Sequence, residues 1–212
     1  MSSTHRFGAR GRSVGRMALR WAAVAALPPV MALALPRAAA SQASPIVVEA
    51  RGGMAVPVGS FASTPGGGAS PHASFGIDIA LPGGGRWTPY VGFGQHRFGC
   101  EDAGCAEGGL YVATAFHGGM RVALLARASV IPWIRVGAHA ANVEIDALPG
   151  SLAGLSELGL GGELGGGVHI GGASQIALNP GVRLVAMNTS VPGGARLRMR
   201  YVIADLAVVL SF

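Results

Sequence analysis

The chain has 212 residues, half of them hydrophobic and only 12% charged, a balance that excludes a disordered, charge-rich polypeptide. Its 35 glycines follow no Gly-X-Y period, which excludes collagen. All 16 basic residues are Arg, and the net charge of +6 suggests a nucleic-acid partner only until the charge is located along the chain.

Residues 1–40 read as an export signal. Arg6, Arg10, Arg12, Arg16 and Arg20 form a positive stretch without an acid, followed by the apolar run Trp21 to Leu35 and then Pro36-Arg37-Ala38-Ala39-Ala40. Small residues before the cut complete the three-part plan of a secretory signal, leaving Ser41 or Ser44 as the first mature residue. The competing reading is a membrane anchor, but the apolar run is short of the ~18 residues that a spanning helix needs. Pro28 and Pro29 also interrupt it. Six of the 16 Arg and none of the 10 acids lie in residues 1–40. The remaining chain, residues 41–212, is therefore formally neutral, and the argument for nucleic acid disappears.

Residues 41–212 show no sustained 3.6-residue stripe. Gly or Pro recurs every few residues, which opposes helix interiors. Period-2 alternation recurs instead, over eight segments: 46–56, 72–81, 87–97, 109–124, 132–143, 157–171, 177–188 and 199–212. Connections after the second, fourth and sixth segments are short. Those after the first, third, fifth and seventh are mostly longer and rich in Gly, Pro, Ser or acid. The pattern predicts an all-β, eight-stranded, antiparallel up-and-down transmembrane barrel in residues 41–212.

Each segment has one apolar parity, such as Phe75, Ile77, Ile79 and Leu81 in the second, or Val202 through Phe212 in the last. The opposite parity carries Glu49, Arg51, Asp78, Arg121, Arg135, Glu163, Arg183 and Asp205, together with His117, His139 and His169. One parity of a closed sheet faces the lumen. A charge facing lipid at mid-depth costs roughly 2–4 kcal/mol. The four acids and four Arg are therefore expected inside, paired, as a polar layer in the short-turn half. A barrel of eight strands is narrow enough for its side chains to fill. The alternative is a soluble secreted barrel or sandwich with the charged face outward, but a soluble surface carries many more charges than this. Gly159, Gly161, Gly165 and Gly167 share the lumen parity of the sixth segment, where they either make room for Arg or Tyr from the opposite wall or ease strand bending.

On these features the chain resembles the small bacterial outer-membrane β-barrel proteins of the OmpA/OmpX/OmpW-like kind. The resemblance covers residues 46–212. It rests on the opening strand Val48-Glu49-Ala50-Arg51-Gly52-Gly53, on Trp87-Thr88-Pro89-Tyr90-Val91-Gly92-Phe93-Gly94, and on the alternating last strand ending in Phe212. It implies outer-membrane residence, contact with outer-membrane lipid, and recognition of the last strand with Phe212 by the insertion machinery. A monomer is expected. The resemblance implies no single function. A structural or surface-interaction role stands first, followed by a porin-like passage for small hydrophobic solutes and then by an enzyme acting on outer-membrane lipid. No appended peptidoglycan-binding domain is expected.

Candidate chemistry is sparse. Cys100 and Cys105 lie in the second long loop, where an exported chain favours a disulfide. Free thiols, or a cation site with Glu101, Asp102 and Glu107, are the other readings. Two thiols are too few for structural zinc. His72 and His96 are placed near loops. No Ser is expected beside a lumen His or Asp, so no catalytic triad, metal site or cofactor is assigned. Arg196, Arg198 and Arg200 precede the last strand with outward parity, and they either contact lipopolysaccharide phosphates or form a solvated cluster. Trp87 and Trp133 are candidates for an interfacial aromatic belt.

Overall fold

The computed structural model describes residues 46–62, 68–83, 85–100, 107–125, 129–145, 154–171, 175–191 and 196–212. The expected signal, its cut sites and Cys105 lie outside the described residues. Every described residue belongs to a unit spanning 43–212.

Among the described residues the alternating segments form strands. They are β1 (Val47–Pro57), β2 (Ala69–Ala80), β3 (Trp87–Cys100), β4 (Leu110–Ala123) and β5 (Val130–Ile145), then a two-residue β6 (Gly154–Leu155), β7 (Gly159–Ile170), β8 (Ile176–Ser190) and β9 (Arg196–Ser211). Each long strand pairs antiparallel with its neighbour in sequence, β6 being a short side pairing with the end of β5. β9 returns to β1, with Val47 opposite Ser211 and Pro57 opposite Tyr201. This pairing closes an eight-stranded up-and-down barrel with no free sheet edge between the long strands.

Two departures from strict alternation set local geometry. In β2 the register against β3 shifts between Pro71 and Ser74. Pro71 has no N–H to give the ladder, and the bulge reverses parity: Ala69 is buried before it and Ser74 after it. In the β2–β3 connection Gly85 takes φ +67°, a left-handed turn position that suits glycine.

β9 begins earlier than the sequence suggests. Arg196, Arg198 and Arg200 lie within it, opposite Ser190, Asn188 and Ala186 of β8. The connection between these strands is only 191–195, as short as a turn at the other end. Alternation simply continues through the arginines, with Leu197 and Met199 between them.

Large apolar side chains cover the outside. Leu160, Leu164, Val136 and Phe116 are each at least 60% exposed. On β9 the outward face runs from Val202 through Ala204, Leu206, Val208 and Leu210 to Phe212. At about 3.3 Å per residue and a tilt near 40°, this face is ~25 Å tall, the height of a lipid-facing band. No helix of the described residues is long and apolar enough to cross a membrane.

The lumen has two layers. The short-turn half holds the charged residues. The long-loop half is filled by apolar and aromatic side chains, among them Phe98, Tyr111, Val143, Met199, Tyr201 and Ile203. Phe61, on a 3-10 turn (Gly59–Phe61) after β1, adds to this upper cluster. Its ring meets Phe98 edge-on at 5.0 Å and Tyr111 at 5.7 Å.

Candidate functional site

The short-turn half of the lumen gathers all eight charged residues assigned to that parity. Inward-pointing positions on β1, β2, β4, β5, β7, β8 and β9 bring their side chains together, and Tyr90 completes the set from β3. Six of the charges form a closed cycle of alternating sign. Arg51 pairs with Asp78 at 2.9 Å, and Asp78 with Arg135 at 2.8 Å. Arg135 makes a short contact with Glu163. Glu163 lies 3.6 Å from Arg183, Arg183 is 2.5 Å from Asp205, and Asp205 is 3.6 Å from Arg51. Glu49 and Arg121 attach as a branch, with Glu49 also against Arg51.

Three of the four carboxylates accept hydrogen bonds on both oxygens, whereas Asp205 accepts only on Oδ2, its Oδ1 meeting Arg51 at 3.6 Å without a hydrogen bond. Asp78 Oδ2 accepts from Arg51 Nε at 2.9 Å and from Arg135 Nη1 at 2.8 Å, while Oδ1 faces His117 Nε2 at 2.8 Å. Glu163 Oε1 accepts from Arg135 Nε at 2.7 Å and from the Tyr90 hydroxyl at 2.5 Å; its Oε2 meets His139 Nε2 at 2.8 Å. Glu49 Oε1 also accepts from Asn179 Nδ2 at 3.1 Å. The charges are almost fully buried, and such charges are tolerable only when paired and hydrogen-bonded. The sum of four Arg and four carboxylates is zero.

Aromatic rings and glycines frame the network. The Arg135 guanidinium lies 3.9 Å over the Tyr90 ring, and His117 and His139 stack at 5.0 Å, 19° from parallel. Trp133 is 2% exposed and lies in the lumen beneath Arg121, whose guanidinium is 5.0 Å away. It therefore belongs to no interfacial belt. It shares the inward parity of Arg135, whereas Trp87 is 55% exposed at the short-turn end. The glycines of β7 admit neighbours, not residues from the opposite wall. A Cβ at Gly167 would fall 2.6 Å from the Trp133 ring, and one at Gly165 2.8 Å from the Arg183 stem.

His96 also departs from expectation. It is buried in the lumen, not near a loop, and its Nδ1 lies 2.8 Å from Ser74 Oγ. A Ser does therefore stand beside a lumen His, brought inward by the β2 bulge. The pair lacks an orienting carboxylate, because the lumen acids are held by Arg, the other His, Tyr90 and Asn179. No nucleophile–base–acid set assembles among the described residues. His169 pairs with Asn179 at 2.9 Å, and His72, on the bulge, is exposed. No group of three His, Cys, Asp or Glu side chains converges as a metal site among the described residues. Cys100 ends β3 and is disulfide-bonded. Arg196, Arg198 and Arg200 face outward at the long-loop end, away from the network.

No family model and no curated protein matches the chain. Solved structures do. The crystal structure of Neisserial surface protein A is 16% identical, with a TM-score of 0.61 over 79% of this chain and 97% of that one. Outer membrane protein AlkL, determined by solid-state NMR in DMPC lipid bilayers, is 13% identical with a TM-score of 0.48, covering 84% of this chain and 95% of that one. Ail, the attachment invasion locus protein of Yersinia pestis, is 10% identical with a TM-score of 0.45, over 81% and 99%. At these identities the likeness is one of fold, and it is carried by the first of the three. The chain has the fold of the small eight-stranded outer-membrane barrels.

Proposed function

We propose that the protein is a bacterial outer-membrane β-barrel with a structural or surface-interaction role, its lumen plugged and without enzymatic activity. One observation carries this reading: the barrel is apolar outside and holds a closed, neutral ion-pair cycle inside. In water the exposed Leu, Val and Phe would form a contiguous patch far beyond what a soluble monomer tolerates. In lipid the same surface is solvated, and the charges meet one another instead of hydrocarbon. Above the cycle the aromatic cluster under Phe61 fills the lumen a second time. The barrel then serves as a rigid platform, and the long-loop end is the surface for contact. Export with removal of residues 1–40 belongs to the same reading.

Cell fractionation tests residence. The protein is expected in the outer-membrane fraction, with a folded band that shifts on heating. Recovery in a soluble extract would overturn the reading. Planar-bilayer recording tests the plug: no stable steps are expected, and large ones would show an open lumen.

A second reading is passage of small hydrophobic solutes. The apolar long-loop half of the lumen favours it, because such solutes would meet compatible side chains there. Faster entry of a hydrophobic dye into cells carrying the protein, abolished by placing a charge in that layer, would select it.

A further inference from the structure

We propose that Arg196, Arg198 and Arg200 form a binding site on the outer wall for the phosphate groups of an anionic membrane lipid. The proposal rests on the membrane-barrel reading above. The three side chains alternate along one strand, so they lie on one face about 6.8 Å apart. All three are exposed, and among the described residues no carboxylate stands within ion-pair distance of any of them. Every Arg of the lumen, by contrast, is paired.

The guanidinium row borders a cleft of about 410 Å³ that Asn188 and Ser190 of β8 also line. Those two add neutral donors beside the charged ones. Glu157 is the one acid lining the cleft, and among the ion pairs of the described residues none joins it to the row. Three uncompensated cations in register repel one another, and an anion with several acceptor oxygens removes that cost. Guanidinium is suited to phosphate because it offers paired donors in a plane.

Position selects a lipid over a soluble anion. Directly below Arg200 on the same outward face come Val202, Ala204 and Leu206, the top of the apolar band. A ligand whose phosphate sits on the arginines would lay its tails along these residues. An amphiphile gains both contacts, and a free phosphate gains only one.

The test uses the full chain folded in detergent, with native mass spectrometry reading bound lipid. The probes are lipid A, the same lipid stripped of its phosphates, and inorganic phosphate. Wild type should retain lipid A, and the variant R196Q/R198Q/R200Q should bind it at least tenfold more weakly. R86Q, at the opposite end of the barrel, should behave as wild type. Equal retention by the triple variant would overturn the proposal, as would equal retention of the dephosphorylated lipid. Displacement of lipid A by inorganic phosphate at matched concentration would overturn the choice of a lipid. A heat-modifiable band from each variant confirms a folded barrel. If wild type itself fails to insert into lipid vesicles, the membrane reading falls and this proposal with it, whereas insertion with unaltered lipid binding removes this proposal alone.

Discussion

Arg135 on β5 reaches Asp78 on β2, with Nη1 and Oδ2 2.8 Å apart across the lumen. The two strands are not neighbours in the sheet: β3 and β4 lie between them on one side. This pair therefore ties opposite arcs of the wall together, which backbone ladders cannot do. The same guanidinium donates to Glu163 and covers Tyr90, so a single side chain joins β2, β3, β5 and β7.

Removal of that side chain should be costly. Arg135→Ala leaves Asp78 and Glu163 short of a donor in a buried site. Breaking a buried pair from one side typically costs about 3–5 kcal/mol. Urea unfolding of the barrel from lipid vesicles should show a lower midpoint with an unchanged slope. Arg135→Lys should recover only part of the loss, since an ammonium cannot make the paired contacts of a guanidinium. A variant as stable as wild type would mean that the cycle contributes nothing to folding.

The outer face predicts the opposite sensitivity. Leu206 lies midway along the apolar face of β9, and it is 49% exposed. Leu206→Arg should destabilise the lipid-embedded barrel by roughly 2–4 kcal/mol, the cost of a charge at mid-depth. On a soluble surface the same change would be nearly neutral. Matched unfolding of wild type and variant distinguishes the two.

Much of this architecture was legible in the chain. The eight long strands lie close to the alternating segments, and the charged parity is the inward one. Period 2 reveals sidedness without any knowledge of partners. It does not reveal depth or distance across the lumen. Asp78 and Arg135 are 57 positions apart, and only closure of the sheet brings them together. Nor does parity survive a bulge. The shift between Pro71 and Ser74 turns Ser74 inward and leaves His72 outside, so the Ser74–His96 contact was hidden. The apolar half of the lumen carries its own signal: Tyr201 and Ile203 share the parity of Asp205 on the same strand.

Tryptophan emission should report the corrected placement. In a chain lacking residues 1–40, and so lacking Trp21, only Trp87 and Trp133 remain. Brominated lipid should quench Trp133→Phe, which keeps the exposed Trp87, and should leave Trp87→Phe almost unaffected. Equal quenching of both variants would place Trp133 at the lipid surface and contradict its packing against Gly167 and Arg121.

The connectivity of the cycle also predicts an order among its acids. Glu163 meets Arg135, Arg183, His139 and Tyr90; Asp78 meets Arg51, Arg135 and His117; Asp205 meets Arg51 and Arg183, the former only at 3.6 Å. Neutral amides at these positions remove charge with little change of shape. Each leaves arginines that were held by a carboxylate, and the penalty grows with the number of partners stranded. Glu163→Gln should therefore lower the unfolding midpoint most, Asp78→Asn next and Asp205→Asn least. Arg51 and Arg183 retain other carboxylates when Asp205 is neutralised, whereas Tyr90 loses the one acidic partner it has among the described residues when Glu163 is. If Asp205→Asn proved the most damaging of the three, stability would follow something other than this partner count, such as the close approach of Asp205 to Gly53 at the β1–β9 seam.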